Sequence, residues 1–292
     1  MCGDVTNWDE ETYRETILKD REIQTQTVFR TAWAPSQNPN PDSIVVASSD
    51  RSLGSYSISS IISDLPLGLG NAKAPHYFEA EPECFLQGHE GPLYDVKFYG
   101  DGEDALLLSC GDDGRIRGWR WKDCTESDVP IPLQGKHMRP VLDLVTSQHK
   151  GPWGALSPVP ENNAIVVNTL SGSIYAAAGD SCAYCWDVET SQVKMVSKGH
   201  SDYLHSITAR NSTNQDVVFD ENQILAVVAE PLLNRFNING EILSQIQCAP
   251  QSAFSVSLHP SGVTAVGGYG GLVDVISQFG SHSCTFRCQF EY

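Results

Sequence analysis

Positive charge is scarce in this sequence: 19 lysines and arginines stand against 36 aspartates and glutamates in 292 residues, a net charge of -17. A field of that sign repels phosphate backbones, so unaided tight binding of nucleic acid is disfavoured. Long apolar runs are also missing, and no stretch approaches the run of about 18 residues that a membrane span needs. The amino terminus lacks the basic start and apolar core of a secretory leader: Met1 to Asn7 is neutral to acidic, and Asp9, Glu10 and Glu11 follow. The expectation is a soluble protein of the cytosol or nucleus. The 9 cysteines are odd in number and irregular in spacing. In a reducing compartment they are expected to be free or buried thiols.

What the chain does have is turn chemistry. Its 24 glycines and 16 prolines are scattered, not clustered, which suits a fold of many tight turns and argues against a helical bundle. One helix is predicted, over residues 8 to 23. Asn7 caps it, Asp9 and Glu10 sit at its positive end, and Tyr13 and Ile17 share a face. Residues 1–25 are therefore expected to form an N-terminal helical segment, and 26–292 an all-β domain.

The β region repeats. Thr31-Ala32-Trp33-Ala34-Pro35, Val96-Lys97-Phe98-Tyr99, Val217-Val218-Phe219-Asp220 and Val256-Ser257-Leu258-His259-Pro260 each open a similar unit. A small-residue strand follows, ending in a tight turn at Asp50, Asp113, Asp180 or Glu230. Six residues later a third strand finishes on an aromatic, Tyr56, Trp119, Trp186 or Phe236. With Gly88-His89, Gly199-His200 and Trp186-Asp187, this order is the signature of WD40 β-propeller repeats. Five units are expected, over 27–89, 92–134, 163–198, 216–248 and 252–288. Segments 60–82 and 135–162 are predicted to be long loops. One unit is incomplete: Gly199-His200 opens a strand near 203–207, and another first strand begins at Asp216 with nothing between them.

Several residues invite a chemical reading. His89, Ser109 and Asp113 are the parts of a nucleophilic triad. No Gly-x-Ser-x-Gly elbow surrounds Ser109, however, and in a WD40 blade these positions, with Trp119, form a buried hydrogen-bond chain. Asp50, Asp180, Trp186 and His200 are assigned to the same structural role in their own blades. Cys182 and Cys185 form a C-x-x-C, but on a strand an odd separation points the two thiols to opposite faces. Gly267-Gly268-Tyr269-Gly270-Gly271 sits in a turn between strands, not at a helix start, and so fails as a phosphate loop. Arg115, Arg117, Arg120 and Lys122 straddle Trp119 and Trp121, and with Trp121 they are the candidate partner contact. No catalytic residue, cofactor or metal is expected.

Longer segments carry a family likeness. Arg30 to Pro35, Tyr94 to Gly100, Leu107 to Gly114, His149 to Pro158, Ala178 to Asp187 and Gly267 to His282 resemble plant members of the THO complex subunit 6 family. The resemblance implies a nuclear, non-catalytic WD40 subunit of the THO/TREX assembly, in mRNA processing and export, with other THO/TREX subunits as partners. It also implies an alternative: substrate receptor of a cullin-4 ubiquitin ligase that restrains abscisic acid signalling. That role needs a W-D-x-R/K blade ending. Trp186-Asp187-Val188-Glu189 has the wrong final charge, and Trp119-Arg120-Trp121-Lys122 the wrong second residue, so adaptor binding is expected to be weakened. Family members resemble seven-bladed rings. This chain is expected to lack about one and three-quarter blades, roughly 75 residues at 40–45 per repeat, in a gap between Ala209 and Asp216.

Overall fold

In the computed structural model the described residues are 26–36, 41–64, 78–125 apart from 103, 140–146, 159–198, 223–227, 231–237 and 242–289, with Arg14, Leu18, Leu204 and Ile207. Of the expected N-terminal helix only Arg14 and Leu18 are described, and both are helical and exposed. The rest of that segment, and His200, lie outside the described residues.

Among the described residues five sheets, antiparallel apart from one parallel pair in the last, follow one another as blades. Blade I holds β1 (Val28–Trp33), β2 (Ser43–Ser48), β3 (Ser52–Ser57) and β5 (Cys84–Gln87). Blade II holds β6 (Leu93–Tyr99), β7 (Leu106–Gly111), β8 (Arg115–Arg120) and β9 (Leu142–Val145). Blade III holds β10 (Asn162–Asn168), β11 (Ser173–Ala178), β12 (Ala183–Asp187) and β13 (Val193–Ser197). Blade IV shows β14 (Gln223–Val227), β15 (Leu232–Asn237) and β16 (Ile242–Gln247); its expected first strand at 216–220 lies outside the described residues. Blade V holds β17 (Ala253–Leu258), β18 (Thr264–Gly268), β19 (Leu272–Ile276) and β20 (His282–Cys288). Two short helices, α1 (Ile58–Asp64) and α2 (Trp121–Thr125), follow the third strands of blades I and II.

The strands of blades V, I and II are apolar on both faces because each of these blades has a neighbour on both sides. In β2, Ile44 and Val46 pack toward blade V with Val28, Val273 and Phe286, while Val45 and Ala47 pack toward blade II with Leu93, Val96 and Leu107. In β7 the alternation repeats: Leu107 faces blade I, and Leu108 and Cys110 join Ile165, Val167 and Ile174 of blade III. In blades I to III the third-strand aromatic points to the preceding blade, Tyr56 toward V, Trp119 toward I and Trp186 toward II. Burying side chains of this size contributes about 1.5–3 kcal/mol each. First strands carry the contacts between blades, β1 lying against both β17 and β6, and β6 against β10. The described neighbours therefore run IV, V, I, II, III.

Two expectations are corrected. The fourth strand of blade II is β9, not a strand ending at 134, so part of the predicted loop 135–162 is sheet. Leu142 and Leu144 alternate with exposed Asp143 and Val145, the period-2 pattern of a half-buried strand, in a stretch masked by its prolines. The segment 60–82 likewise is not all loop. It contains most of α1 and then β4 (Phe78–Ala80), which leaves blade I to pair in parallel with β20 as a fifth strand of blade V.

Candidate functional site

The turn between second and third strands has one design in blades I to III. An aspartate accepts hydrogen bonds from the chain around it, and the next residue adopts positive φ: Arg51 at 75°, Gly114 at 67° and Ser181 at 67°. At Gly114 a β-carbon would strike Val159 and the Pro160 carbonyl, so the close approach of blade III requires glycine there.

Blade II builds the fullest network. His89 Nδ1 lies 2.9 Å from Asp113 Oδ1, and His89 Nε2 lies 2.8 Å from Ser109 Oγ. Arg117 donates to Asp113 Oδ2 at 2.8 Å, and the Glu90 and Arg115 backbone N–H groups donate at 3.2 Å each. The Trp119 ring, buried, stands 6.1 Å from that of His89. Burial pushes the Asp113 carboxyl up, but His89, the Glu90 N–H and Arg117 outweigh it and hold its pKa at about 2. Burial lowers the His89 pKa, against the pull of Asp113, and Arg117 lowers it further. The stable arrangement is thus an Asp113–Arg117 ion pair with a neutral imidazole donating from Nδ1 and accepting the Ser109 hydroxyl proton at Nε2. Ser109 is fully buried, with relative exposure of 0%. A nucleophile so placed meets no substrate, which makes the triad reading structurally empty and the network a way of satisfying polar groups inside a blade.

The other blades vary the theme. Asp50 accepts from the Ser52 backbone N–H at 3.1 Å and from the Ser48 and Ser52 hydroxyls. Asp180 accepts from the Cys182 N–H at 3.0 Å and from the Tyr184 hydroxyl at 2.6 Å, so four residues after the turn acid a tyrosine stands where blade II has Arg117. Tyr184 stacks on buried Trp186 at 5.5 Å. Cys182 packs in the core between blades II and III, whereas Cys185 lies between Tyr184 and Trp186 of that core and points the other way. The eight described cysteines are buried and outside any disulfide among the described residues.

The proposed cationic contact is corrected. Arg117 is spent internally on Asp113, Arg115 pairs with Asp143 at 2.8 Å, and Trp121 is buried against Phe98 at 5.2 Å. Of that run only Arg120 is exposed, with Lys122 half-buried. Arg115 and Arg117 share the face of β8 that meets Asp143, Arg120 points to the other face and Lys122 lies in α2, so the four do not form one stacking surface.

Sequence reasoning missed two buried acids. Asp95, 1% exposed on β6, lies 2.9 Å from Arg30 Nε of blade I, a close ion pair without an aligned hydrogen bond. Its other oxygen accepts the Ile165 N–H of blade III at 3.0 Å, so one carboxylate ties three blades. Asp274 in β19 accepts from His282, Thr285 and the Ala249 N–H, at 2.9, 2.9 and 3.1 Å. An acid flanked by apolar residues in a buried strand, as in Val273-Asp274-Val275, was the available signal. Between blades V and I the link is neutral: Thr31 bonds Ser255 and Ser257, and the Trp33 indole donates to the Ser257 carbonyl at 3.3 Å.

A match to a known family model agrees with this architecture. Residues 80–120 match the WD40 family model, "WD domain, G-beta repeat", which spans β5 through β8. Among solved structures, the WD40 β-propeller domain of Doa1 is similar over 82% of this chain and 62% of that chain, with 17% identity and a TM-score of 0.36. Human THO complex subunit 6 is 28% identical over 130 residues, 44% of this chain and 33% of that protein. Arabidopsis thaliana THO complex subunit 6 is 50% identical over 364 residues, spanning 98% of this chain and 99% of that protein. Since 98% of 292 is about 286 residues, about 78 of those 364 positions have no counterpart here. With half of the 364 aligned positions identical along almost the whole of both chains, this protein belongs to the THO complex subunit 6 family.

Proposed function

We propose that the chain is a non-catalytic WD40 scaffold subunit of a nuclear THO assembly, serving mRNA processing and export by binding protein partners. The observation that carries this reading is the end-to-end identity with the Arabidopsis subunit. The burial of Ser109 and the structural use of His89 and Asp113 support a scaffold over an enzyme. Residues 26–292 are taken as one propeller, shortened near 209–216 by about the 78 positions without counterpart. Its charge of -17 argues that contact with RNA runs through partners and not through this chain.

Affinity purification of the tagged chain from plant nuclei, followed by mass spectrometry, tests the assignment. Recovery of the other THO subunits is expected. Recovery of cullin-4 and its adaptor in their place would overturn it, as would a cytosolic chain free of THO subunits.

A further inference from the structure

The four described first strands share a defect in pairing. Each carries a one-residue bulge near its start, between Val28 and Arg30, Leu93 and Asp95, Asn162 and Ala164, and Ala253 and Ser255. The extra residues are Phe29, Tyr94, Asn163 and Phe254. A bulge re-aims the inserted side chain out of the strand's alternation. Here the re-aimed residues of blades V, I and II are all aromatic. The Phe29 ring stands 6.4 Å from Phe254 and 5.5 Å from Tyr94, so three successive blades present one row of rings. None of the three belongs to the cores between blades, and Phe254 is 48% exposed. The row stands at the rim that carries the aspartate turns, because Val28 pairs with Ser48 at the end of β2 and Leu93 with Gly111 at the end of β7.

Beside Tyr94 this rim is acidic. Asp112 accepts the Tyr94 hydroxyl at 3.1 Å. Burial, Asp112 and Glu161 together push that phenol up to about 12, which places both carboxylates in its field. Glu90 is exposed in the loop before β6. Among the described residues none of Glu90, Asp112 and Glu161 has a cationic partner, although Arg51 sits at the blade I turn and Lys198 beyond β13. Ring faces attract cations through their quadrupole, and flanking carboxylates add to that attraction.

We infer that the Phe254–Phe29–Tyr94 row and the Glu90, Asp112 and Glu161 carboxylates form a docking site for an extended, arginine- or lysine-bearing segment of a partner protein. Charge complementarity selects this occupant. Aromatic rows also stack nucleic-acid bases, but unpaired carboxylates beside the rings repel the phosphates that would come with them. The site goes beyond the THO assignment and does not depend on it, since its test uses the isolated chain and a synthetic peptide.

Fluorescence anisotropy with a short labelled peptide alternating arginine and serine provides that test, with a glutamate-for-arginine peptide and a polyuridine oligomer as controls. The arginine peptide is expected to bind at about 10–100 μM, with the glutamate peptide and the oligomer much weaker. The double variant Glu90→Lys/Asp112→Lys should weaken it by at least about tenfold. Asp101→Lys/Asp104→Lys, which makes the same change of net charge in the β6–β7 turn at the opposite rim, should change it by less than about twofold. Phe254→Ala, at an exposed position, should weaken binding about three- to tenfold with the melting temperature unchanged. Equal losses in the two charge-reversal variants would reduce the attraction to overall charge and overturn the site. So would absent binding by the parent, unchanged binding by Phe254→Ala, or polyuridine binding that the rim variants abolish.

Discussion

Asp113 and Asp95 are both buried carboxylates, yet they do different work. Asp113 closes a local network, and its loss strands His89 and Arg117 inside blade II. Asp113→Ala is therefore expected to lower stability by about 2–4 kcal/mol in urea denaturation, more than removal of one neutral hydrogen bond would. The pH dependence follows from the same contacts. The carboxyl is held at about 2 in the fold, below its ordinary 3.8, so its contribution is complete above about pH 4 and is lost as pH falls toward 2. His89 is lowered from 6.5, so its neutral form favours the fold above pH 6.5, and stability falls as pH drops below that value. Denaturation midpoints across pH 7 to 4 should fall less steeply for His89→Gln than for the parent, and an equal slope would show that the imidazole is not held neutral. Asp95 acts across blades instead. Asp95→Ala leaves Arg30 unpaired and the Ile165 N–H without its acceptor, and is expected to cost about 3 kcal/mol, whereas exposed Asp101→Ala stays within about 0.5.

At the scale of elements, legibility tracked distance along the chain. The turn aspartates and third-strand aromatics were readable because each pair lies six residues apart in one hairpin, where the turn and the alternation are both local. The Asp113–Arg117 pair was missed because two functions competed for one arginine, and only the fold shows that its side chain turns inward. β9, Asp95 and the bulged aromatics depend on partners tens of residues away, and single-sequence patterns do not record such pairings. β4 is the extreme case: a three-residue strand between blade I's third and fourth strands that joins blade V. Ala80 is 1% exposed there, and its carbonyl accepts the Gln289 N–H at 3.2 Å. By covering the outer edge of β20 it clasps the amino- and carboxyl-terminal blades together. Replacing Phe78-Glu79-Ala80 with Gly-Ser-Gly should speed amide hydrogen exchange in β20 while leaving β6 to β8 protected. Uniform loss of protection would mean that the clasp stabilises the whole molecule, and no change that it stabilises nothing.

At the scale of the whole molecule, stability in a repeat fold is largely a sum of interfaces between neighbours. The described interfaces run from blade IV through V, I and II to III. The far side of blade III faces the segment near 209–216 where the sequence reading puts the relative's extra positions. There Val166, Tyr175, Cys185 and Met195 lie in one cross-strand row, with Met195 51% exposed and Val193, also on β13, 40% exposed. Such a row is suited to a following blade, and side chains shaped for a larger ring resist closing into a smaller one. Leu204, in the segment that opens the incomplete unit, already bonds blade III through the Ala178 carbonyl at 3.4 Å and the Asn163 amide at 3.0 Å. A chain with the missing positions restored from the Arabidopsis sequence should therefore bury that row. The present form is expected to give lower soluble yield, faster limited proteolysis near 205–216 and weaker co-purification with THO subunits than the restored one. Equal protection and equal partner recovery in a side-by-side comparison would mean that the shorter ring closes on its own, with the Val166–Met195 row packed against blade IV.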